Sequence, residues 1–328
     1  MSDFEGKTDY RIPVTIVTGF LGAGKTTLLN NIIRKHPDKR FAIIENEIGE
    51  IGIDGGLLVG TDENIFELNN GCICCSLNGD FNEVIAQLLE RSEPFDHLLV
   101  ETTGIADPNS VVQSFLSSEF IQLEFRVDAV ICLADAVHLE DRIDSEPEAR
   151  KQLALADILL VNKTESVRME RLQEIQKKID RINPSAQNHW VSYADVSEIN
   201  VLDTHAYSGK GIEKTTLSFR NLAIANNTHD IQTVGISIPG SFDVDKFNMW
   251  IESYLFFNSK DVYRVKGILS FESLAKKQIF QSVGASYIVE EGSEWGNEQR
   301  FCKLVFIGRR LVREDLEQAL RKIAARLC

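Results

Sequence analysis

The chain is short of positive charge: 35 lysines and arginines face 49 aspartates and glutamates over 328 residues, a net charge of -14. Surfaces that track nucleic-acid phosphates or anionic lipid need clustered cations, so a general nucleic-acid or membrane binder is excluded, though a local basic patch is not. A disulfide framework is also missing. The six cysteines are Cys72, Cys74, Cys75, Cys132, Cys302 and Cys328; three crowd into four residues, which no secreted scaffold resembles. A reducing compartment follows. No run approaches the ~20 apolar residues of a membrane span. The opening MSDFEGKTDY has no signal-peptide core and is too acidic for a transit peptide. A cytoplasmic or nuclear protein is expected. Internal repeats and low-complexity tracts are absent. The length and a hydrophobic content of 43% suit two domains, each with its own core.

What is present alternates. Apolar runs of strand length stand at Val14 to Val17, Phe41 to Ile44, Ile65 to Leu68, His97 to Val100, Val127 to Leu133 and Ile158 to Val161. Segments of helical spacing lie between them: Leu28, Leu29, Ile32 and Ile33, then Phe81, Val84, Ile85, Leu88 and Leu89. Asp107-Pro108 reads as a further helix start, with proline just inside. Such alternation predicts a parallel sheet with helices on both faces, which binds ligands at the carboxyl ends of its strands. Residues 1–10 read as a polar leader, 11–222 as this α/β domain and 223–232 as a linker. Residues 233–328 read as a smaller α+β domain: strands at Gly235 to Ile238, Tyr263 to Phe271, Gln278 to Val289 and Phe301 to Ile307, a helix from Asp243 to Phe257, and a closing helix through Leu316, Leu320, Ile323 and Leu327. The stripe Phe247, Trp250 and Tyr254 reads as core, as do Cys132 and Cys302. His138 reads as structural, His97 as a satisfied strand-edge residue, and His229, in the linker, as solvated.

The first chemical signal is Gly19-Phe20-Leu21-Gly22-Ala23-Gly24-Lys25-Thr26, which satisfies G-x-x-x-x-G-K-[ST] between a strand and a helix. It reads as the phosphate loop of a P-loop NTPase. Gly22, Ala23 and Gly24 turn backbone N–H groups toward phosphate oxygens, and the following helix adds its positive end. Lys25 is expected to reach the β- and γ-phosphates. The Thr26 hydroxyl would contact Mg²⁺, and Thr27 an earlier phosphate. Glu101 closes an apolar strand where a Mg²⁺-holding carboxylate would stand, and the Gly104 N–H could meet the γ-phosphate. Asn162-Lys163-Thr164-Glu165 follows another strand, where GTPases carry N-K-x-D. There the carboxylate accepts from guanine N1–H and the 2-amino group, so GTP and GDP are expected, with Glu165 one methylene longer than the usual Asp. No glutamine stands out as a water-positioner and no arginine as a finger, so unassisted hydrolysis should be slow.

The second signal is Cys72-Ile73-Cys74-Cys75. Thiolates so spaced suit Zn²⁺ or another soft or borderline metal, with an open coordination position that favours exchange. Glu45, Glu47 and Glu50 would reach the same sheet edge as further ligands. One or two of the cysteines packing as small apolar residues is the plainer alternative.

GFLGAGKTTLL, ENEIGE, GCICC, ETTGIADP and the C-terminal VKGILSF…WG…FIG together resemble a CobW-type P-loop GTPase over residues 12 to about 325. The resemblance implies a metallochaperone with Gly22, Gly24, Lys25, Thr26 and Thr27 on phosphate and Mg²⁺, Asn162 and Lys163 at guanine, and Cys72, Cys74 and Cys75 as the metal motif. A client metalloprotein is implied, and a homo-oligomer is left open. Two departures are Glu165 for Asp and the absence of a His-rich stretch near the domain junction, which speaks against metal storage. Alternative functions are a non-catalytic zinc sensor or buffer gated by nucleotide, and an ATP-using or cobalt-handling protein of cobalamin metabolism.

Overall fold

The computed structural model describes residues 9–45, 65–69, 79–90, 94–102, 108–207 and 231–324. Its first half is built on seven parallel strands: β1 (Ile12–Thr18), β2 (Phe41–Glu45), β3 (Ile65–Asn69), β4 (His97–Glu101), β5 (Phe125–Asp135), β6 (Ile158–Asn162) and β7 (Gln187–Trp190), in the order β3-β2-β4-β1-β5-β6-β7. The central strands are continuous apolar runs because both faces are covered. On one face lies α1 (Lys25–Lys35), whose Leu28, Leu29, Ile32 and Ile33 pack on Val17, Ile43, Leu99 and Ile131. On the other lie α2 (Gly79–Leu89) and α3 (Pro108–Ser117), which set Phe81, Ile85, Val112 and Phe115 against Val14, Ile16 and Val100. Completing this half are α4 (Glu119–Glu124), α5 (Leu139–Ser145), α6 (Pro147–Leu155) and α7 (Met169–Ile182). The alternating pattern read from the sequence is therefore observed as a doubly covered parallel sheet.

The second half is a five-stranded antiparallel sheet of β8 (Gln232–Pro239), β9 (Val262–Leu269), β10 (Lys276–Val283), β11 (Ser286–Glu294) and β12 (Phe301–Gly308), in the order β11-β10-β9-β12-β8. One face carries α8 (Val244–Asn258) and α9 (Arg313–Ile323) over Val234, Val265, Phe280 and Phe306. Asp243 caps α8 by accepting from Lys246 N at 3.1 Å. The expected stripe is core: Phe247 is buried, with Trp250 and Tyr254 packed against it.

The other face of this sheet meets the nucleotide half. Tyr263, Val305 and Ile307 share a cluster with Leu153, Ile175 and Ile179 of α6 and α7. Beside that cluster, Asp157, which precedes β6, is buried with Arg264 and Lys266 of β9: its Oδ1 lies 2.6 Å from Arg264 Nη2 and 2.7 Å from Lys266 Nζ. Its Oδ2 accepts from Val130 N of β5 at 2.9 Å. The two sheets are thus joined by apolar contact and one buried ionic cluster. Among the described residues no helix is long and apolar enough to cross a membrane.

Two sequence expectations need correction, and two elements are additions to them. Gln278 to Val289 is not one strand: the chain reverses at Gly284, whose φ of +55° serves the turn between β10 and β11. The helix α7 and the short strand β7 were not expected. His97 is not at a sheet edge but on β4, between β2 and β1, fully buried, with Nε2 2.8 Å from Thr15 Oγ1 and, among the described residues, no partner for Nδ1. Burial pushes its imidazole down to about 3. Cys132 and Cys302 are buried, as expected, and burial pushes both thiols up to about 12.

Candidate nucleotide site

The carboxyl ends of β1, β4, β5 and β6 converge on one rim. β1 ends at Thr18 and the chain turns through residues 19–24 into α1, whose first turn carries no acidic side chain to compete for its free N–H groups. Gly22 and Gly24 both have left-handed backbone, φ 78° and 104°. At Gly24 a side chain would be strained by that backbone and its Cβ would crowd Asn162 Nδ2, 3.0 Å away. Lys25 is buried, with Nζ 3.5 Å from Phe20 O and 3.7 Å from Glu101 Oε1. Thr102, next to Glu101, ties β4 to β1: its N–H donates to Val17 O at 2.9 Å and its hydroxyl to Thr18 Oγ1 at 3.0 Å. The Thr26 hydroxyl stands at the helix start and is half-buried, while Thr27 is exposed.

The Lys25 ammonium, the start of α1 and the Glu101 carboxylate stand together at this rim, the groups that a polyphosphate with its metal ion would call on. Glu101 and Thr26 have the donor chemistry that Mg²⁺ takes, an oxygen from each beside the phosphate loop. When bound, the ion neutralises β- and γ-phosphate charge.

Asn162 is buried and joins three segments. Its Nδ2 donates to Ala23 O of the phosphate loop at 2.9 Å, and its Oδ1 accepts from Ala194 N at 2.8 Å. Lys163, left-handed at φ 63°, places Nζ 2.7 Å from Asp135 Oδ2. Thr164 Oγ1 donates to Val191 O at 3.0 Å. Glu165 is exposed in a single 3-10 turn, Thr164–Ser166. Asn31 of α1 donates to Tyr193 O and Ala194 O at 3.1 and 2.8 Å. The structure therefore gathers the phosphate loop, Glu101 and the Asn162-Lys163 loop.

Sequence reasoning missed two contributors. One is the loop after β7, Val191 to Ala194, in which Tyr193 and Ala194 are left-handed and Tyr193 is 74% exposed; its ties to Asn162, Asn31 and Thr164 reveal it. The other is Asp135, which ends an apolar strand just as Glu101 does, a signal that was legible. His138, read as structural, lies with Nδ1 3.1 Å from Asp135 Oδ2.

Of the metal expectations, Glu45 ends β2, its backbone in register with Glu101 on β4 and Asn69 on β3. Cys72, Cys74, Cys75, Glu47 and Glu50 lie outside the described residues, as do Gly104, His229 and Cys328. Among the described residues no three His, Cys, Asp or Glu side chains form a metal-holding group.

Comparison with known proteins adds independent weight. The CobW/HypB/UreG nucleotide-binding domain matches residues 13–189, and the cobalamin synthesis protein cobW C-terminal domain matches residues 231–324. The zinc chaperone YjiA of Escherichia coli is 32% identical over 314 residues, 94% of this chain and 97% of that protein. The zinc chaperone CobW of Pseudomonas aeruginosa is 31% identical over 97% of this chain and 93% of its own length. A crystal structure of the Zn(II)-bound YjiA GTPase from E. coli superimposes with a TM-score of 0.74 at 28% identity, covering 96% of this chain and 99% of that one. With both domains matched and the nucleotide rim assembled on a parallel sheet, the chain belongs to the CobW/HypB/UreG family, in the form that carries the CobW C-terminal domain.

Proposed function

We propose that this protein is a GTP-hydrolysing metallochaperone that binds Zn²⁺ through Cys72, Cys74 and Cys75, with Glu45 or Glu50 completing the set, and passes the ion to a client metalloprotein. The relatives are zinc chaperones and GTPases by name, and the chain is a GTPase with GTP, GDP and Mg²⁺ as ligands. The domains divide at the linker read from residue 223, which ends no later than the start of β8 at Gln232.

The observation that carries the coupling is the register of β3, β2 and β4. Glu45 is opposite Glu101, Glu101 is 3.7 Å from the phosphate-loop lysine, and Asn69 is opposite Glu45. Neighbouring strands lie about 4.8 Å apart, so β3 and β4 end about 10 Å from one another. The thiol run begins three residues of chain beyond Asn69, a reach of at most about 11 Å.

In the hydrolytic step, Lys25 and the N–H groups at the start of α1 hold the β- and γ-phosphates in line. Glu101 and Thr26 keep the Mg²⁺ position, and the Gly104 N–H holds a γ-oxygen. Asn162, Lys163 and Glu165 select guanine. In this reading the γ-phosphate governs the loading of Cys72, Cys74 and Cys75, and linkage makes the effect reciprocal: nucleotide changes metal affinity and metal changes nucleotide affinity. The C-terminal domain, which carries no cluster of reactive groups among its described residues, offers a client surface.

The test is Cys74→Ser. It should lower Zn²⁺ affinity and remove the effect of Zn²⁺ on single-turnover GTP hydrolysis. A variant that hydrolyses GTP with the same Zn²⁺ dependence as the wild type would refute the assignment of the metal.

A further inference from the structure

β1 is flanked by β4 and β5, and each flanking strand ends in an acid that faces a lysine from a neighbouring loop. On the phosphate side the pair is Glu101 and Lys25, 3.7 Å apart. On the other side it is Asp135 and Lys163, closer at 2.7 Å. Asp135 is in register with Asn162, and its side chain is 9% exposed. Its carboxylate is itself fixed: Oδ1 accepts from Val137 N at 2.8 Å, and Oδ2 faces both Lys163 Nζ and His138 Nδ1. Burial opposes the charge, yet the hydrogen bonds from Lys163, His138 and the Val137 N–H hold this carboxyl below the usual range.

A lysine side chain gives up rotamer freedom when it is fixed. Lys163 is held at both ends before any nucleotide arrives. Its left-handed backbone (φ 63°) sits in the loop tied down by Thr164, and its ammonium rests on Asp135. Its four methylenes are therefore drawn out between two fixed points, beside the Asn162 clasp. Ordering that precedes binding is not subtracted from affinity.

We propose that Asp135 is a positioning residue for the purine: by pinning the Lys163 ammonium it sets the lysine stem as a ready apolar wall for the guanine ring. The proposal rests on the reading of Asn162, Lys163 and Glu165 as the base site. Asp135 acts through Lys163 and contributes nothing to the phosphates.

The experiment compares GTP with ribose 5-triphosphate, which keeps the sugar and phosphates but has no base, by competition against a fluorescent GTP. Asp135→Asn and Lys163→Met should each weaken GTP about tenfold, roughly the affinity change that one lost charge-assisted hydrogen bond allows. Both should leave ribose 5-triphosphate unchanged, and the double variant should bind GTP no more weakly than Lys163→Met alone. Asp135→Glu, which keeps the charge, should recover most of the GTP affinity and guards against a folding defect in the Asn variant. Equal weakening of both ligands by Asp135→Asn, or an effect that adds fully to that of Lys163→Met, would overturn the proposal. If Lys163→Met weakens GTP and Asp135→Asn does not, the base site stands and the positioning role falls. If Lys163→Met leaves GTP binding intact, the base-site reading fails and the proposal with it.

Discussion

Gln113 and Gly284 fit together as side chain and hole. Gln113, on the helix that follows the Glu101 segment, donates from Nε2 to Val283 O at 3.1 Å, and a Cβ on Gly284 would lie 2.0 Å from that same nitrogen. Gly284 also needs its left-handed backbone (φ +55°) to reverse the chain between β10 and β11. α3 of the nucleotide half is thereby keyed into the hairpin of the C-terminal sheet.

Gly284→Ala meets two costs: about 1 kcal/mol for the left-handed backbone, and about 1 kcal/mol for displacing the Gln113 hydrogen bond. Urea unfolding should show a loss of about 2 kcal/mol. In a Gln113→Ala background the same change should cost only the backbone part, about 1 kcal/mol, because the atom it displaces is gone. Fully additive losses would mean that the two residues do not interact.

Asp157 is the sole acid that Arg264 and Lys266 share among the described contacts. Asp157→Ala should cost on the order of 3–5 kcal/mol, since two buried cations lose their counter-charge. Lys266→Met should cost far less, and its effect should depend on pH. Burial, then the neighbouring Arg264 charge, pushes the Lys266 amine down to about 8 from its ordinary 10.5. Between those values the unfolded chain binds the extra proton, so this residue's contribution to stability rises with pH; below pH 8 its penalty is constant. Unfolding at pH 7.5 and pH 9.5 should show wild type gaining on Lys266→Met as pH rises. A constant difference would contradict the shift.

His97 works at the acid end. Its imidazole titrates at about 3 when folded and near 6.5 when unfolded, so stability is lost as pH falls below 6.5. Between pH 6.5 and pH 5 the loss is about 2 kcal/mol by linkage. His97→Gln, which keeps a polar partner for Thr15, should flatten that limb of the unfolding profile. An unchanged acid limb would show that other groups set it.

Asn162→Ala removes the clasp on Ala23 O and Ala194 N. It should weaken GTP and GDP alike by at least tenfold, and lower stability by about 2 kcal/mol for the buried backbone groups left without partners. Selective loss of GTP alone would place Asn162 on the γ-phosphate side instead.

These residues also mark where the sequence could be read and where it could not. The phosphate loop, Glu101 and Asn162-Lys163 were legible because each is a short run whose neighbours in sequence are its neighbours in space. The parallel sheet was legible from apolar runs such as Val127 to Leu133. α7 went unread although Ile175, Ile179 and Ile182 keep helical spacing, because the rest of that helix is polar. β7 is a polar strand with half-exposed side chains, held among the described strands by pairing to β6. Gly284 was a visible turn signal inside Gln278 to Val289. The joint between Asp157 and Arg264 spans 107 residues, and the pairing of Asp135 with Lys163 spans 28; no local pattern encodes either.

The central claim is that nucleotide and metal share one rim and answer to one another. Its most direct test is Zn²⁺ affinity, measured by chelator competition on tag-free protein, with a non-hydrolysable GTP analogue and with GDP. The account predicts affinities that differ by at least about fivefold, the lower end of ordinary coupling energies, and that converge in Cys74→Ser. Equal Zn²⁺ affinity in the two nucleotide states of the wild-type protein would contradict it.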